Sequence, residues 1–363
     1  MTLAPRLAPR LAPEGPDEII LAIESSCDET AMAAVDGFGR VHFERLFSQI
    51  EIHKKYGGVV PEVASRSHFD AIQEILKLSQ NEMQKYKISQ VVATLGPGLI
   101  GPLLVGANLG RGLALGWGVP FRGIHHLRGH IASALLGDDF SKTLAERAAN
   151  HFPAWVVLVS GGHSQILAVE PGLSAKKIMD TADDAAGECL DKCAKLMGLA
   201  YPGGPALEKL AQKLEAPQLK LGMEIAQKLP RPKSESGFSF SGLKTAFRLL
   251  YEKEGSAENL GAFAYGIQEA VFDSLLRGLD SSLKSSSRIA RPTRLAFCGG
   301  VAANQELRRK LEKFCKANSL QLQLPPIKYS TDNAVMIGSA AWIQDSQFDL
   351  MSCEARIPLA DLA

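Results

Sequence analysis

Two histidines four residues apart, His126 and His130 in the run IHHLRGHIASALL, have a spacing that suggests chemistry. On a helix this spacing puts both imidazoles on one face, where they can share a metal ion. Two half-buried core histidines are the alternative. The pair is not the H-E-x-x-H of metallopeptidases, because Leu127 stands where the general-base Glu would be and Arg128 follows. Two histidines need a third ligand, and Asp332 in KYSTDNAVMIGSAAW is a candidate. Its alternative role is the N-cap of a helix beginning near Asn333, a position where Asp is among the best residues.

Three small-residue turns follow apolar strands: Glu24-Ser25-Ser26, Ser160-Gly161-Gly162 and Gly299-Gly300. Amides at such turns can hold phosphate, and each alone can equally be an ordinary hairpin turn. Neither the P-loop pattern nor G-x-G-x-x-G is present, which argues against those two nucleotide sites. The segment DDAAGECLDKCAKLMGLAYPGGPALEKLA is dense in acids (Asp183, Asp184, Glu188, Asp191) that could form a solvated helix face or meet ligand hydroxyls. Cys189 and Cys193 within it are expected to pack in the core.

The elements that must position these groups alternate strand and helix, the signature of an α/β protein. EIILAIE, the turn SSCDET and AMAAVD read as strand, tight turn, strand. About 135 residues later AWVVLVS, GGHSQ and ILAVE repeat the pattern, with Ser160 matching Ser25. One supersecondary unit recurring near half the chain predicts two similarly built lobes. SHFDAIQEILKLSQNEMQKY has helical periodicity and QVVATL reads as a buried strand. Two helices around YPGGP are expected over 186–213, a loop-bearing insertion over 215–245, and a strand RLAFCGG entering a helix at VAANQEL.

The 363 residues argue for two domains. Forty Lys plus Arg against 39 Asp plus Glu leave +1, so no whole-molecule field draws in nucleic acid or membrane. A local surplus exists over 205–250, where eight cations (209, 213, 220, 228, 231, 233, 244, 248) face four Glu. It reads either as a phosphate-contacting rim or as a solvated insertion. Six cysteines without C-x-x-C spacing suit a reduced, intracellular protein. Leu95–Gly110 holds five Gly and two Pro in 16 residues, too short and broken to span a bilayer, so a soluble protein is expected. The first residues, with Arg and Pro but no apolar core, read as a disordered tail, an organellar address being the alternative.

Taken together, IESSCDETA, YGGVVPEVASRSH, GPGLIGPLLVG, HHLRGH, LVSGGHSQIL, the acid-dense segment, FSFSGLKTA, FCGGVAANQEL and STDNAVMIG resemble the TsaD/Gcp/Qri family. These are tRNA adenosine threonylcarbamoyltransferases, once misnamed glycoprotein endopeptidases. The resemblance runs from about residue 18 to 345 and favours the bacterial or organellar branch. It implies an actin-like (sugar kinase/heat-shock ATPase) α/β fold of two lobes with a central cleft and internal duplication. The divisions would be a tail over 1–17, a first lobe over 18–150 to which the C-terminal helix is free to return, a second lobe over 151–345 with a helical insertion at about 186–260, and a tail over 346–363.

The implied activity is transfer of threonylcarbamoyl from threonylcarbamoyl-AMP to the N6 amine of adenosine 37 in tRNAs reading ANN codons. The resemblance assigns metal ligation to His126, His130 and Asp332, and substrate binding to Leu158, Val159, Ser160, Gly161, Gly162, Asp191, Gly204 and Asn304. Asp28 and Glu29 match acids that the family needs for activity. The metal would be Fe(2+), with Zn(2+) suiting the same ligands, and a nucleotide (threonylcarbamoyl-AMP or ATP) would occupy the cleft. Implied partners are tRNA, TsaB and TsaE-like proteins in the bacterial case, a homodimer in the organellar case, and a TsaC-like enzyme that makes the adenylate. The location would be cytoplasmic, or an organellar matrix. Bacterial relatives usually carry an acid where this chain has Arg128, which would reverse the charge near the metal or the tRNA approach. Rival readings are a catalytically weak scaffold subunit of a tRNA-modifying complex and an ATP-dependent kinase on the same fold.

Overall fold

The computed structural model describes residues 15–232, 237–286, 291–344 and 350–359. Most of the expected N-terminal tail, residues 1–14, and Lys233 of the basic segment lie outside the described residues.

The first lobe runs β1 (Ile19–Glu24), β2 (Glu29–Asp36), β3 (Val41–Ser48), α1 (Ile50–His53), α2 (Pro61–Lys85), β4 (Ile88–Gly96), α3 (Ile100–Trp117), β5 (Phe121–His125), α4 (His126–Ser133) and α5 (Leu144–His151). The second continues with β6 (Ala154–Val159), β7 (Ser164–Val169), β8 (Ala175–Thr181), α6 (Ala186–Leu196), α7 (Gly203–Ala211), α8 (Ala216–Lys228), β9 (Gly237–Phe238), α9 (Ser241–Glu254), α10 (Leu260–Ser285), β10 (Arg294–Cys298), α11 (Gln305–Ala317), β11 (Gln321–Gln323) and α12 (Ala334–Ile343).

The two sheets repeat one topology. The first has order β3-β2-β1-β4-β5, and the second has β8-β7-β6-β10-β11 with β9 added beside β8. In each, the opening hairpin and its third strand are antiparallel, while the two strands on the other side pair parallel. This is the duplication expected from the recurring hairpin.

Both faces of the central strands are covered, so their sequences are continuous apolar runs. In β1, Ile20 and Ala22 face a core shared with α4, α12 and the second sheet, whereas Leu21 and Ile23 face the layer of α2 and α3. In β6, Val156 and Leu158 join that shared core, and Val157 and Val159 pack under α6–α11. Helix α12 packs on α4, β1 and β2 although it lies late in the chain. The glycine-rich stretch after β4 forms a helix, α3, because Gly106 lets it approach Ser25, whose hydroxyl donates to the Pro102 carbonyl at 2.9 Å.

Two local expectations change. Residues 215–245 are more helical than their Pro, Lys and Ser content suggests, since α8 begins with Pro217 in its first turn, where no N–H is needed. The helix after β10 begins at Gln305 rather than Val301, because Asn304 caps it by accepting from the Leu307 amide at 3.0 Å. Residues 350–359, within the expected C-terminal tail, fold back on the first lobe, with Leu350, Ile357 and Leu359 buried.

Candidate active site

A cavity of about 820 Å³ lies between the turns at the ends of the two sheets. The turn after β1 supplies Ser26, Cys27, Asp28 and Glu29, and the turn after β6 supplies Ser160, Gly161, Gly162 and His163. The α4 helix presents His126, and the turn leading into α12 presents Asp332.

The histidine pair is built by the turn from β5 into α4. His125 caps the helix by accepting from the Leu127 amide on Nδ1, so its Nε2–H donates to the Ile357 carbonyl at 3.1 Å. Burial holds His125 down at about 3, neutral as these two bonds require. His126 and His130 then project together, 4.8 Å between ring centroids. Their Nε2 atoms stand 3.5 and 3.2 Å from Asp332 Oδ1. Asp332 is free to face them because Asn333, not Asp332, is the N-cap of α12, accepting from the Met336 amide at 2.9 Å. A cap of this kind contributes about 1 kcal/mol.

The donor set fits a metal ion. The three ligand atoms lie within 4.8 Å of one another. Both ring nitrogens of His130 are buried without a hydrogen-bond partner among the described residues, despite the 3.2 Å approach to Asp332. Buried polar atoms left in that state normally have an explanation such as an ion. Glu24 supports the set from behind. Its carboxylate meets His126 Nδ1 at 3.2 Å and accepts from the Ser26 amide at 2.6 Å, and Ser26 Oγ lies 3.1 Å from the same Nδ1. That leaves Nε2 of His126 for the cavity, the outer-partner arrangement common around metal-binding histidines.

Charge follows from these contacts. Burial works against protonating His126, yet Glu24 and Asp332 outweigh it and hold the ring up at about 9. Burial would raise Asp332, but His126 and His130 bring it down to about 2. Glu24 is also raised by burial and, on balance, lowered by His126. His163, from the other lobe, is held at about 4 by burial and then by His126 and His130.

The acidic turn behaves differently. Burial pushes Glu29 up to about 8 against a 2.8 Å hydrogen bond from Ser48. Its Oε2 is buried with no hydrogen-bond partner among the described residues. Asp28 is raised by burial and then by Asp332, and Tyr201 donates to it at 3.3 Å. Cys27 is held as a thiol by burial and by Asp28. His68 of α2 clamps this turn from below. Its Nε2 donates to the Cys27 carbonyl at 3.0 Å, so its Nδ1 accepts from Thr30 Oγ1 at 2.7 Å.

On the second lobe Ser160, Gly161 and Gly162 line the cavity, and nothing lies within 4 Å of where a Cβ on either glycine would stand. The N-terminus of α6 abuts this turn, with Gly187 against the Ser160 carbonyl, and brings the positive end of its dipole there. Asp191, Gly204 and Asn304 line the same cavity. Asp191 Oδ1 accepts from the Gly203 and Gly204 amides at 2.8 and 3.3 Å, while burial raises its pKa against those bonds. Asn304 Nδ2 donates to Gln268 Oε1 at 2.9 Å.

Some expected residues do not reach the cavity. Leu158 and Val159 are wholly buried on β6, so their motif marks the strand that carries the Ser160 turn rather than side chains that touch a ligand. Arg128 is wholly buried as well, so its charge is not at the mouth of the cleft; it acts on His125, helping keep that ring neutral. Cys189 and Cys193 pack in the outer core of the second lobe. In the basic segment, Lys228, Arg231 and Lys244 pair with Glu254, Asp273 and Asp184. His68, His125 and His163 were not singled out by sequence, and Glu24 was named only as part of a small-residue turn, with no role for its carboxylate. The only sequence signal was that each sits inside a motif string whose other residues drew attention.

The chain is similar to known proteins in both sequence and fold. The family model described as TsaD: tRNA N6-adenosine threonylcarbamoyltransferase matches residues 40–339. The chain is 40% identical over 334 residues to the protein of that name from Corynebacterium aurimucosum, covering 89% of this chain and 91% of the relative. It is 42% identical over 329 residues to the one from Kosmotoga olearia, covering 89% and 92%. Among solved structures, HypF from T. kodakarensis superposes with TM-score 0.56 at 15% identity, over 91% of this chain and 48% of that one. That likeness, with the duplicated sheets, places the fold in the actin-like two-lobed α/β class.

Proposed function

The chain belongs to the tRNA N6-adenosine threonylcarbamoyltransferase family and is a transferase that modifies tRNA; from that premise we propose how its cleft performs the transfer. The donor is threonylcarbamoyl-AMP, and the acceptor is the N6 amine of adenosine 37 in tRNAs reading ANN codons. The observation that carries this reading is the His126–His130–Asp332 cluster opening into the same cavity as both hairpin turns.

His126, His130 and Asp332 would hold a divalent ion, Fe(2+) or Zn(2+), which would supply Lewis-acid polarisation of donor oxygens. Glu24 fixes His126 by its second nitrogen. The Ser160–Gly162 turn offers its amides to the donor's oxygens, with the positive end of α6 behind them. Asp191 has one oxygen committed to the Gly203 and Gly204 amides and presents the other to nucleoside hydroxyls, beside Gly204 and Asn304. The N6 lone pair forms the new C–N bond to the carbamoyl carbon, the bond from that carbon to the phosphate oxygen breaks, and AMP departs. AMP is a good leaving group, so no covalent protein intermediate is needed, and orientation supplies much of the acceleration. Glu29, which lines this space and is pushed up to about 8 by burial, accepts the proton that N6 loses, with Asp28 beside it.

Work with TsaB and TsaE-like proteins, supply of the adenylate by a TsaC-like enzyme and a cytoplasmic location belong to the same reading; a homodimer is the organellar arrangement. No helix among the described residues is long and apolar enough to cross a membrane.

The test is transfer in vitro from threonylcarbamoyl-AMP to unmodified ANN-decoding tRNA, with and without TsaB and TsaE, beside metal analysis. His130→Ala is expected to lose bound metal and to cut transfer at least about 100-fold. Full transfer by a metal-free His130→Ala protein would sink the metal-dependent mechanism. Absence of product from the wild type under every condition would favour the scaffold reading.

A further inference from the structure

The segment 350–359 is built into the cleft. Leu350 bridges to Gly123, donating to its carbonyl at 2.8 Å. Glu354 donates to the Leu95 carbonyl at 2.9 Å, the Gly98 amide donates to Ala355 at 3.2 Å, and His125 holds the Ile357 carbonyl. Leu350 and Ile357 pack against Leu95 and Ala107. Two glycines make room for this chain. A Cβ at Gly123 would stand 2.2 Å from the Leu350 carbonyl oxygen, and one at Gly96, where φ is +155°, would stand 2.4 Å from that of Glu354. Residues 355–359 thereby form part of the wall of the cavity that holds His126 and Asp332.

This wall carries a cation that has no ion pair among the described residues. Asp28, Glu29, Asp180, Asp191, Glu208 and Asp332 line it, and besides two histidines its cationic side chains are Lys177 and Arg356. Lys177 is paired with Asp180 at 3.1 Å. Arg356 has no ion pair or hydrogen bond among the described residues, while its neighbours on either side are pinned by Gly98 and His125. Those of these acids that are ionised and unpaired repel a phosphate, and a guanidinium fork on a fixed backbone is the group best suited to offset them. We propose that Arg356, delivered by the C-terminal segment, binds a phosphoryl group of a substrate in the cleft. This rests on the reading that the substrates are an adenylate and a tRNA, either of which brings phosphate oxygens.

The test compares wild type, Arg356→Ala and Arg356→Lys for binding of AMP, adenosine and unmodified tRNA, with thermal melting as a check on folding. If the adenylate phosphate is the partner, Arg356→Ala weakens AMP about ten-fold and adenosine hardly at all, with partial recovery in Arg356→Lys. If the tRNA backbone is the partner, tRNA binding weakens and its salt slope falls by about 1. Equal weakening of AMP and adenosine with tRNA binding unaffected, or no change for any ligand, overturns the proposal. Transfer is measured separately in the same wild-type preparation. Its failure, with AMP binding still dependent on Arg356, would count against the transferase mechanism and leave this phosphate site standing.

Discussion

The turn after β1 and the turn after β6 occupy equivalent places in the two sheets, yet they are chemically opposite. The first is closed and charged: Glu24, Ser25 and Ser26 are buried, Asp28 nearly so, and Glu29 is pushed up to about 8 by burial. The second is small and open, with Gly161 and Gly162 bordering empty space and α6 directing its positive end at the turn. Duplication supplied two strand ends facing one cavity, and divergence gave one turn the ionisable groups and the other the bare backbone. A transfer reaction needs both: groups that move protons or position a ligand, and a surface that a substrate oxygen can approach closely.

The largest effect should come from removing the proton-accepting group of the closed turn. Glu29→Gln keeps the shape and is expected to lower kcat about 100-fold or more, with KM changed little. In the wild type the rate should climb as pH rises through about 8, where Glu29 loses its proton, and this limb should vanish in the variant. The folded protein retains a proton on Glu29 that the unfolded chain releases near 4.5. Stability therefore declines as pH rises between these values, and Glu29→Gln should flatten that decline in melting curves. A variant with normal kcat and an unchanged limb would remove Glu29 from the chemistry.

A smaller effect is expected at the support of the same turn. His68→Ala deletes two buried hydrogen bonds, to the Cys27 carbonyl and from the Thr30 hydroxyl, and opens a cavity beneath Asp28 and Glu29. A loss of roughly 2–3 kcal/mol is expected, read as a lower melting temperature. Because burial is the main reason Glu29 is raised, hydration of a loosened turn should move the pH limb toward ordinary carboxylate values. His68→Gln, which can still donate to the Cys27 carbonyl, should restore part of that limb. A melting change with the limb fixed at about 8 would make His68 structural only.

Much of this contrast was legible in the sequence where the signal is local. The i,i+4 histidines fall on one face of α4 because helix geometry requires it, and the repeated strand–turn–strand pattern marks both hairpins. Asp332 could be weighed only as a cap or a ligand, because its freedom depends on Asn333 taking the cap. The role of Glu24 was hidden, since an acid ending a buried strand has no periodicity, and its partner His126 lies 102 residues away. The C-terminal segment was hidden for another reason: most of its hydrogen bonds use backbone groups, which leave no residue-type pattern, and its clearest traces are the missing side chains at Gly96 and Gly123. At Leu158 and Val159 the motif does not say which way each residue points, and strand parity turns both side chains into the cores.

The smallest effect, and the sharpest probe of the open turn, is Gly162→Ala. The residue has no positive φ, and no atom lies within 4 Å of the new methyl, so the melting temperature should not change. The methyl would instead intrude where the donor's oxygens approach the backbone. KM for threonylcarbamoyl-AMP is expected to rise by about three- to ten-fold, a cost of the size seen when a close contact is overfilled, with kcat and the pH limb of Glu29 intact. That pattern would separate the roles of the two turns, one acting on binding and the other on rate. A fall in kcat with KM unchanged would instead mean that the open turn acts in the transition state, and the division of labour between the duplicated hairpins would have to be abandoned.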